Sequence, residues 1–291
     1  MHTKSAFNTL KTMAKQNYKK LIITFGLVLL ENLLILAYPL IAGFAINKII
    51  QGDIKSAMIY AIMAFVFWGV GALRRMIDTM VFTKIYTSLV TKVITNQRNT
   101  DDFDASITTA HVALSREFIK FFEEHLPMFF TSVISIIGAC FMLLVLEIYV
   151  GVACVLVLVI VFANIKKFSK INEELFNRLN SRMERDVDVI TASSEYQIAR
   201  HYAFTSLLRI SISNKEAFGY FIHGIFAFFI FSVAIISLCL GEIDAGHIYA
   251  VFSYSYSFMI SLDDTPTIVQ KYSQLKDIGT RVDTNDNNYV I

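Results

Sequence analysis

Three carboxylates of this chain, Glu31, Asp263 and Asp264, fall inside or at the edge of long apolar runs. A charge within a bilayer costs about 2.5–3.5 kcal/mol on insertion scales, so each needs a physical reason. Facing a shared aqueous path, the three would attract cationic or peptide-like substrates, or exchange protons where desolvation favours the neutral acid. Tyr249, Ser253, Tyr256 and Asp263 follow one another at helical spacings, so one helix face would offer hydroxyls, aromatic surface and a carboxylate to an amphipathic ligand. Pro266, close by, lacks a backbone donor and would loosen the helix there. The alternative places Asp263 and Asp264 already at the water boundary and gives Glu31 a Ser, Thr or Tyr partner within a bundle. His223 reads as a hydrogen-bonded structural histidine, and Arg74-Arg75 with Asp78 as an interface anchor and local ion pair. His111 and His201 show no metal-ligand spacing with each other or with cysteine. No catalytic triad, metal site or nucleic-acid patch stands out. Cys140, Cys154 and Cys239 sit in apolar runs and read as small buried hydrophobes.

The elements that must hold these groups follow from composition. The 291 residues are 55% hydrophobic and 17% charged, with a mean hydropathy of +0.54, against about 45–50% and about 25% for soluble domains. That excess excludes an ordinary soluble enzyme. A net charge of +2 and 25 Phe exclude disorder, and 12 Gly, 3 Pro and 3 Cys exclude collagen-like and disulfide-scaffold classes. Six apolar runs suit membrane spans: Leu21–Ile46, Ala57–Leu73, Pro127–Leu146, Ile148–Ile165, Phe218–Leu240 and Ile248–Leu262. Runs such as Val150–Ile160 are apolar on every face, which suits helices and not the alternation of a transmembrane barrel.

Positive charge sets the expected orientation. Of the 26 Lys and Arg, only Lys48 and Lys55 fall on one side; the N-terminal arm, the two long connections and the tail carry the rest, so both termini are expected in the cytoplasm. The first run is too long for a cleavable signal peptide. Phe7, Leu10 and Met13, spaced between lysines, suit a short interfacial helix or a solvated basic tail. Connections on the outer side are short: 47–56, Glu147 and 241–247. Inside, 74–126 and 166–217 read as long helical hairpins, with Ile171, Leu175, Leu179, Met183 and Val187 recurring every four residues. A helix from Ala57 to about Asn96 would be roughly 60 Å long, twice the roughly 30 Å hydrocarbon core.

Several local patterns sit in this frame. Tyr38-Pro39-Leu40-Ile41-Ala42-Gly43 closes the first span, Phe103-Asp104 precedes Leu114-Ser115-Arg116, Ser194-Glu195-Tyr196-Gln197-Ile198-Ala199-Arg200 lies in the second hairpin, and Gly241–Ile248 precedes the sixth span. The ordered set resembles the transmembrane domain of ATP-binding-cassette (ABC) exporters over about residues 5–282. The resemblance implies an all-α, six-helix bundle at 21–270 with long cytoplasmic extensions, an interfacial arm at 1–20 and a short tail at 271–291. Helical spans with short outer loops suit a multi-pass protein of the cytoplasmic (inner) membrane or, as the alternative, of an organelle. No P-loop is present: Gly241 to Gly246 is followed by His247 and Ile248, where G-x-x-x-x-G-K-[ST] needs Lys and Ser or Thr. Only about twenty residues follow Lys271.

ATP hydrolysis is therefore expected only from a separate ATP-binding subunit. The resemblance places its docking at Phe103, Asp104, Ser194, Glu195, Tyr196 and Arg200. It further implies a homodimer that forms the substrate pathway, with ATP-Mg entering only through the partner and no cofactor in this chain. Two other readings stand beside it. One is ATP-independent, proton-coupled transport through Glu31, Asp263 and Asp264. The other is a scaffold, a regulatory subunit or a degenerate half-transporter.

Overall fold

The computed structural model describes residues 18–98, 119–183, 185–192, 194–241 and 243–263, together with Thr109, Val112, Ala113 and Arg116. Residues 1–17 of the expected interfacial arm, Phe103, Asp104, Asp264, Pro266 and the tail lie outside the described residues, whereas 18–20 already belong to the first helix. Among the described residues there is no strand. In lipid, every backbone N–H and C=O must find its partner within the segment, so apolar runs of this length fold as helices.

The chain order is α1 (Tyr18–Ile50), α2 (Ile54–Ala57), α3 (Ile59–Arg98), a π turn at Phe121–His125, α4 (Leu126–Leu146), α5 (Ile148–Met183), α6 (Asp186–Ala192), α7 (Glu195–Cys239) and α8 (Ala245–Asp263). Four stretches are long and apolar enough to cross a membrane: Tyr18–Ile50, Ile54–Thr91, Glu123–Leu146 and Glu195–Cys239. The apolar part of α5 is shorter, Ile148–Asn164, and α8 has 19 residues diluted by serines and tyrosines. Four of the six expected spans are therefore met by length and composition.

Sharp turns join the helices at one end of the bundle. Gly52, at φ 74°, adopts a backbone that favours glycine. Asp53 caps α2 by accepting the Ser56 N–H at 3.2 Å. Glu147 alone interrupts α4 and α5; at the opposite end of α4, Pro127 lies in the first turn, where its missing donor is not needed. At the other end α3, α5 and α7 run on. With 40 and 45 residues, α3 and α7 are roughly 60 and 68 Å long.

The main core joins α4, α5, α7 and α8 through Leu143, Val150, Cys154, Ile230, Val251 and Phe258. The helix α8 is the central post, packed on α1, α4 and α7. Gly43 of α1 and Gly246 of α8 meet backbone to backbone: a Cβ on Gly246 would stand 1.9 Å from the Gly43 carbonyl oxygen. Small residues allow such approach where lipid supplies no hydrophobic drive between helices. The Tyr254 hydroxyl donates to the Leu36 carbonyl, in the α1 turn that Pro39 interrupts. Past the bundle, α5 and α7 pack on each other through Leu179, Leu208 and Ile212 with Leu175 beside them. Of the four-residue repeat read from sequence, Leu175 and Leu179 face that contact, whereas Ile171 and Met183 are exposed.

One reading of the cysteines is corrected. Cys140 and Cys154 are buried, but Cys239 is exposed. It is the last residue of α7, where the helix leaves its neighbours before the turn to α8.

Candidate functional site

Glu31 lies in a seam between α1 and α3. On α1, Thr24, Val28 and Glu31 share a face at spacings of four and three; on α3, Gly71, Arg74 and Asp78 do the same. The Arg74 Nε contacts the Glu31 carboxylate, and Arg74 Nη1 donates to Asp78 Oδ2 at 3.2 Å. The side chains are 15%, 20% and 7% exposed for Glu31, Arg74 and Asp78, so two carboxylates share one guanidinium out of water. Gly71 leaves the room: a Cβ there would stand 3.2 Å from Glu31 Oε1. The next residue, Asn32, turns to α4 and donates to Thr131 Oγ1 at 3.1 Å.

The partner of Glu31 is thus an arginine and not a Ser, Thr or Tyr. Arg74 keeps its expected i,i+4 pair with Asp78, but it also reaches across to the neighbouring helix. A signal for this was present. Glu31 lies about 19 residues before the end of α1 and Arg74 about 20 after Ile54, so antiparallel helices folded at that turn bring them to one depth.

Asp263 lies at the end of α8, with its Oδ1 3.9 Å from His223 Nδ1 of α7. The same nitrogen is 3.0 Å from the Gly219 carbonyl, the local bond expected of a structural histidine. Tyr249, Ser253 and Tyr256 are not on the face of α8 that enters the bundle. That face is Ala250, Val251, Tyr254, Ser255, Phe258, Met259 and Leu262, whereas Tyr256 is 61% exposed. Glu31 and Asp263 are held in separate seams, each beside a basic side chain.

A polar clamp that sequence reading missed closes the short-loop end. Asn47 of α1 donates to Asp244 Oδ2 at 3.0 Å and accepts from the Gly246 N–H at 2.8 Å. Glu147 accepts from Ser237 Oγ of α7 and lies 3.0 Å from His247 Nε2 of α8. Nearby, the hydroxyls of Tyr38 on α1 and Tyr60 on α3 are hydrogen-bonded. The Asp53 carboxyl is held below its usual range by the side-chain and backbone hydrogen bonds of Ser56.

At the far end, the corner between α6 and α7 presents Ser194, Glu195, Tyr196 and Arg200, all exposed, with Tyr196 at 73%. Gln197 Oε1 accepts the Ser194 N–H at 3.0 Å, as in a capping box. His201 is buried beneath it, with Nε2 2.7 Å from Asp186 Oδ1 and Nδ1 3.3 Å from Arg182 Nη1. No cluster of His, Cys, Asp and Glu among the described residues could hold a metal ion.

A multi-pass helical bundle, tied at one end by short turns and extended at the other by helices that outrun their apolar stretches, defines a polytopic membrane protein. The family model described as the ABC transporter transmembrane region matches residues 10–246. The chain belongs to that family, whose role is transport. No curated protein matches the sequence. The match is shorter than the 5–282 read from sequence; it takes in α1 to α7 and ends in the first turn of α8.

Proposed function

We propose that the chain is the transmembrane subunit of an exporter-like ABC transporter, which lines the substrate pathway as a dimer and is driven by an ATPase on a separate chain. The observation that carries this reading is the exposed, capped corner at Ser194–Arg200, set at the end of a helix pair that continues well past its apolar stretch. Such a corner is rigid enough to transmit a push and open enough to receive a partner. The residues Phe103 and Asp104 would complete the docking surface from the other hairpin.

In this reading α1, α2–α3, α4, α5, α7 and α8 are the six spans. Enclosure of α8 by three helices supports its inclusion, because a span shielded from lipid tolerates serines and tyrosines. Lysine and arginine counts support cytoplasmic extensions, and helical spans with short outer turns suit an inner-membrane location. Exposed Phe221 and Phe228 on α7, at 65% and 75%, suit contact with a second copy or with lipid. Exposed Tyr249 and Tyr256, with half-buried Ser253 between them, would then look toward the pathway between copies. The separation of Glu31 from Asp263, each beside a basic group, gives the ATP-independent reading no support.

The test is purification of the tagged protein from its native membrane in mild detergent, with identification of co-purifying chains and an ATPase assay. A stoichiometric ATPase that is lost in Tyr196→Ala and Asp104→Ala supports the reading. A complex unchanged in both variants overturns the docking surface, and a pure dimer with no ATPase overturns the split transporter.

A further inference from the structure

Where α5 and α7 run beyond the bundle they border an open groove of about 660 Å³, lined by Lys170, Arg178, Arg182, Arg185, Glu174 and Phe204 among others. This size is within the roughly 300–1,000 Å³ of small-ligand sites. The apolar stretch of α5 ends at Asn164. Lys170 is thus about 9 Å and Arg182 about 27 Å beyond it along the helix, so the groove opens to water and only its Lys170 rim approaches the headgroups.

Among the described residues the lining is unbalanced in charge: four cations face one carboxylate. Glu174 is already engaged by Arg178, Nη2 to Oε1 at 2.6 Å. Arg182 is held in place on two sides. Its guanidinium lies 4.2 Å from the Phe204 ring centroid, and its Nη1 is 3.3 Å from His201 Nδ1. His201 is 6% exposed and 2.7 Å from Asp186 through Nε2. With Nε2 donating to Asp186, the Nδ1 lone pair accepts from Arg182, so the relay fixes the guanidinium before any ligand arrives. Asp186 stands behind the imidazole and is not among the lining residues. Arg185 is steadied by its Nε bond to the Ser181 carbonyl at 3.3 Å, which leaves its terminal nitrogens as donors. Leu208, 8% exposed, closes one wall with apolar surface.

Guanidiniums held in place, with planar donor forks, suit phosphate oxygens. We propose that this groove binds a phosphate-bearing anion, gripped by Arg182 and Arg185 with Lys170 at the rim. The phosphate belongs either to a water-soluble compound or to a phospholipid headgroup reaching the rim. The site lies on α5 and α7 and needs neither an ATPase nor transport, so it stands or falls separately from the function proposed above.

The experiment uses the full chain in nanodiscs with two arms. In one, zwitterionic lipid is used and pyrophosphate is titrated at constant ionic strength set with chloride. In the other, phosphatidic acid is introduced into the disc with no soluble phosphate. Binding is read as a saturable rise in unfolding temperature. A saturable rise in the first arm assigns a soluble ligand, and in the second a headgroup. In either case Arg185→Gln, which leaves the His201 relay intact, is expected to weaken binding at least tenfold, Arg182→Gln at least as much, and Lys84→Gln on α3 not at all. Absence of a saturable rise in both arms overturns the proposal, as does an Arg185→Gln protein that binds as tightly as the parent.

Discussion

Replacing Arg74 by Gln removes the only cation in contact with Glu31 and Asp78 among the described residues, and its cost can be worked from the seam. Both carboxylate side chains are mostly out of water, at 15% and 7% exposure. Removing one partner of a buried ion pair costs about 3–5 kcal/mol, because the charge left behind has neither water nor a counter-ion. Glu31→Gln acts differently. It leaves Arg74 with Asp78 and takes the cluster from one excess negative charge to none, so the loss is that of a charge-assisted bond, about 1.5–3 kcal/mol. In the double variant only Asp78 remains charged, and its repulsion from Glu31 is gone, so the two losses should fall short of additivity by about 1–3 kcal/mol. Thermal unfolding in nanodiscs reads this at roughly 2 °C per kcal/mol: a fall of about 6–10 °C for Arg74→Gln and about 3–6 °C for Glu31→Gln. Exposed Arg75 is the neighbouring control. Strict additivity, or an Arg74→Gln loss no larger than that of Arg75→Gln, would refute the shared-guanidinium argument.

Three more outcomes are expected. Gly246→Ala drives a methyl into the Gly43 carbonyl at 1.9 Å, a backbone clash that should cost about 3 kcal/mol or more; Gly224→Ala, with open space around it, should be neutral or stabilising by about 0.5–1 kcal/mol, both read by thermal unfolding. Tyr254→Phe withdraws the donor from the Leu36 carbonyl and should cost about 1–3 kcal/mol, with faster amide exchange in the Pro39 turn than in the rest of α1. The Asp53 carboxyl is depressed in the folded chain, so its cap is present above the unfolded value of about 3.9 and is lost as pH falls through the lower folded value. Amide exchange at Ser56 should therefore accelerate only in strong acid, and Asp53→Asn should remove that pH dependence.

The helices were legible in the sequence because a bilayer leaves an apolar run few alternatives. Pro127–Leu146 differs from α4 by one residue, and the corner at Glu147 is where it was expected. Pairing across helices was much less legible. Glu31 meets Arg74 because α1 and α3 fold back from one tight turn to equal depth. Which face of α8 enters the bundle was hard to read for a related reason. Tyrosines and serines occupy both sides of that helix, so the hydroxyl pattern of Tyr249, Ser253 and Tyr256 is no more distinctive than that of Tyr254 and Ser255. Rotation was decided elsewhere, by the contact of Gly43 with Gly246 and by the Leu36 carbonyl that Tyr254 reaches. Once those two contacts fix α8, Tyr256 must turn outward, and Asp263, seven residues on, is left beside His223 of α7. Backbone packing therefore sets Glu31 and Asp263 in separate seams, beside Arg74 and His223 respectively, a placement that residue type alone does not carry.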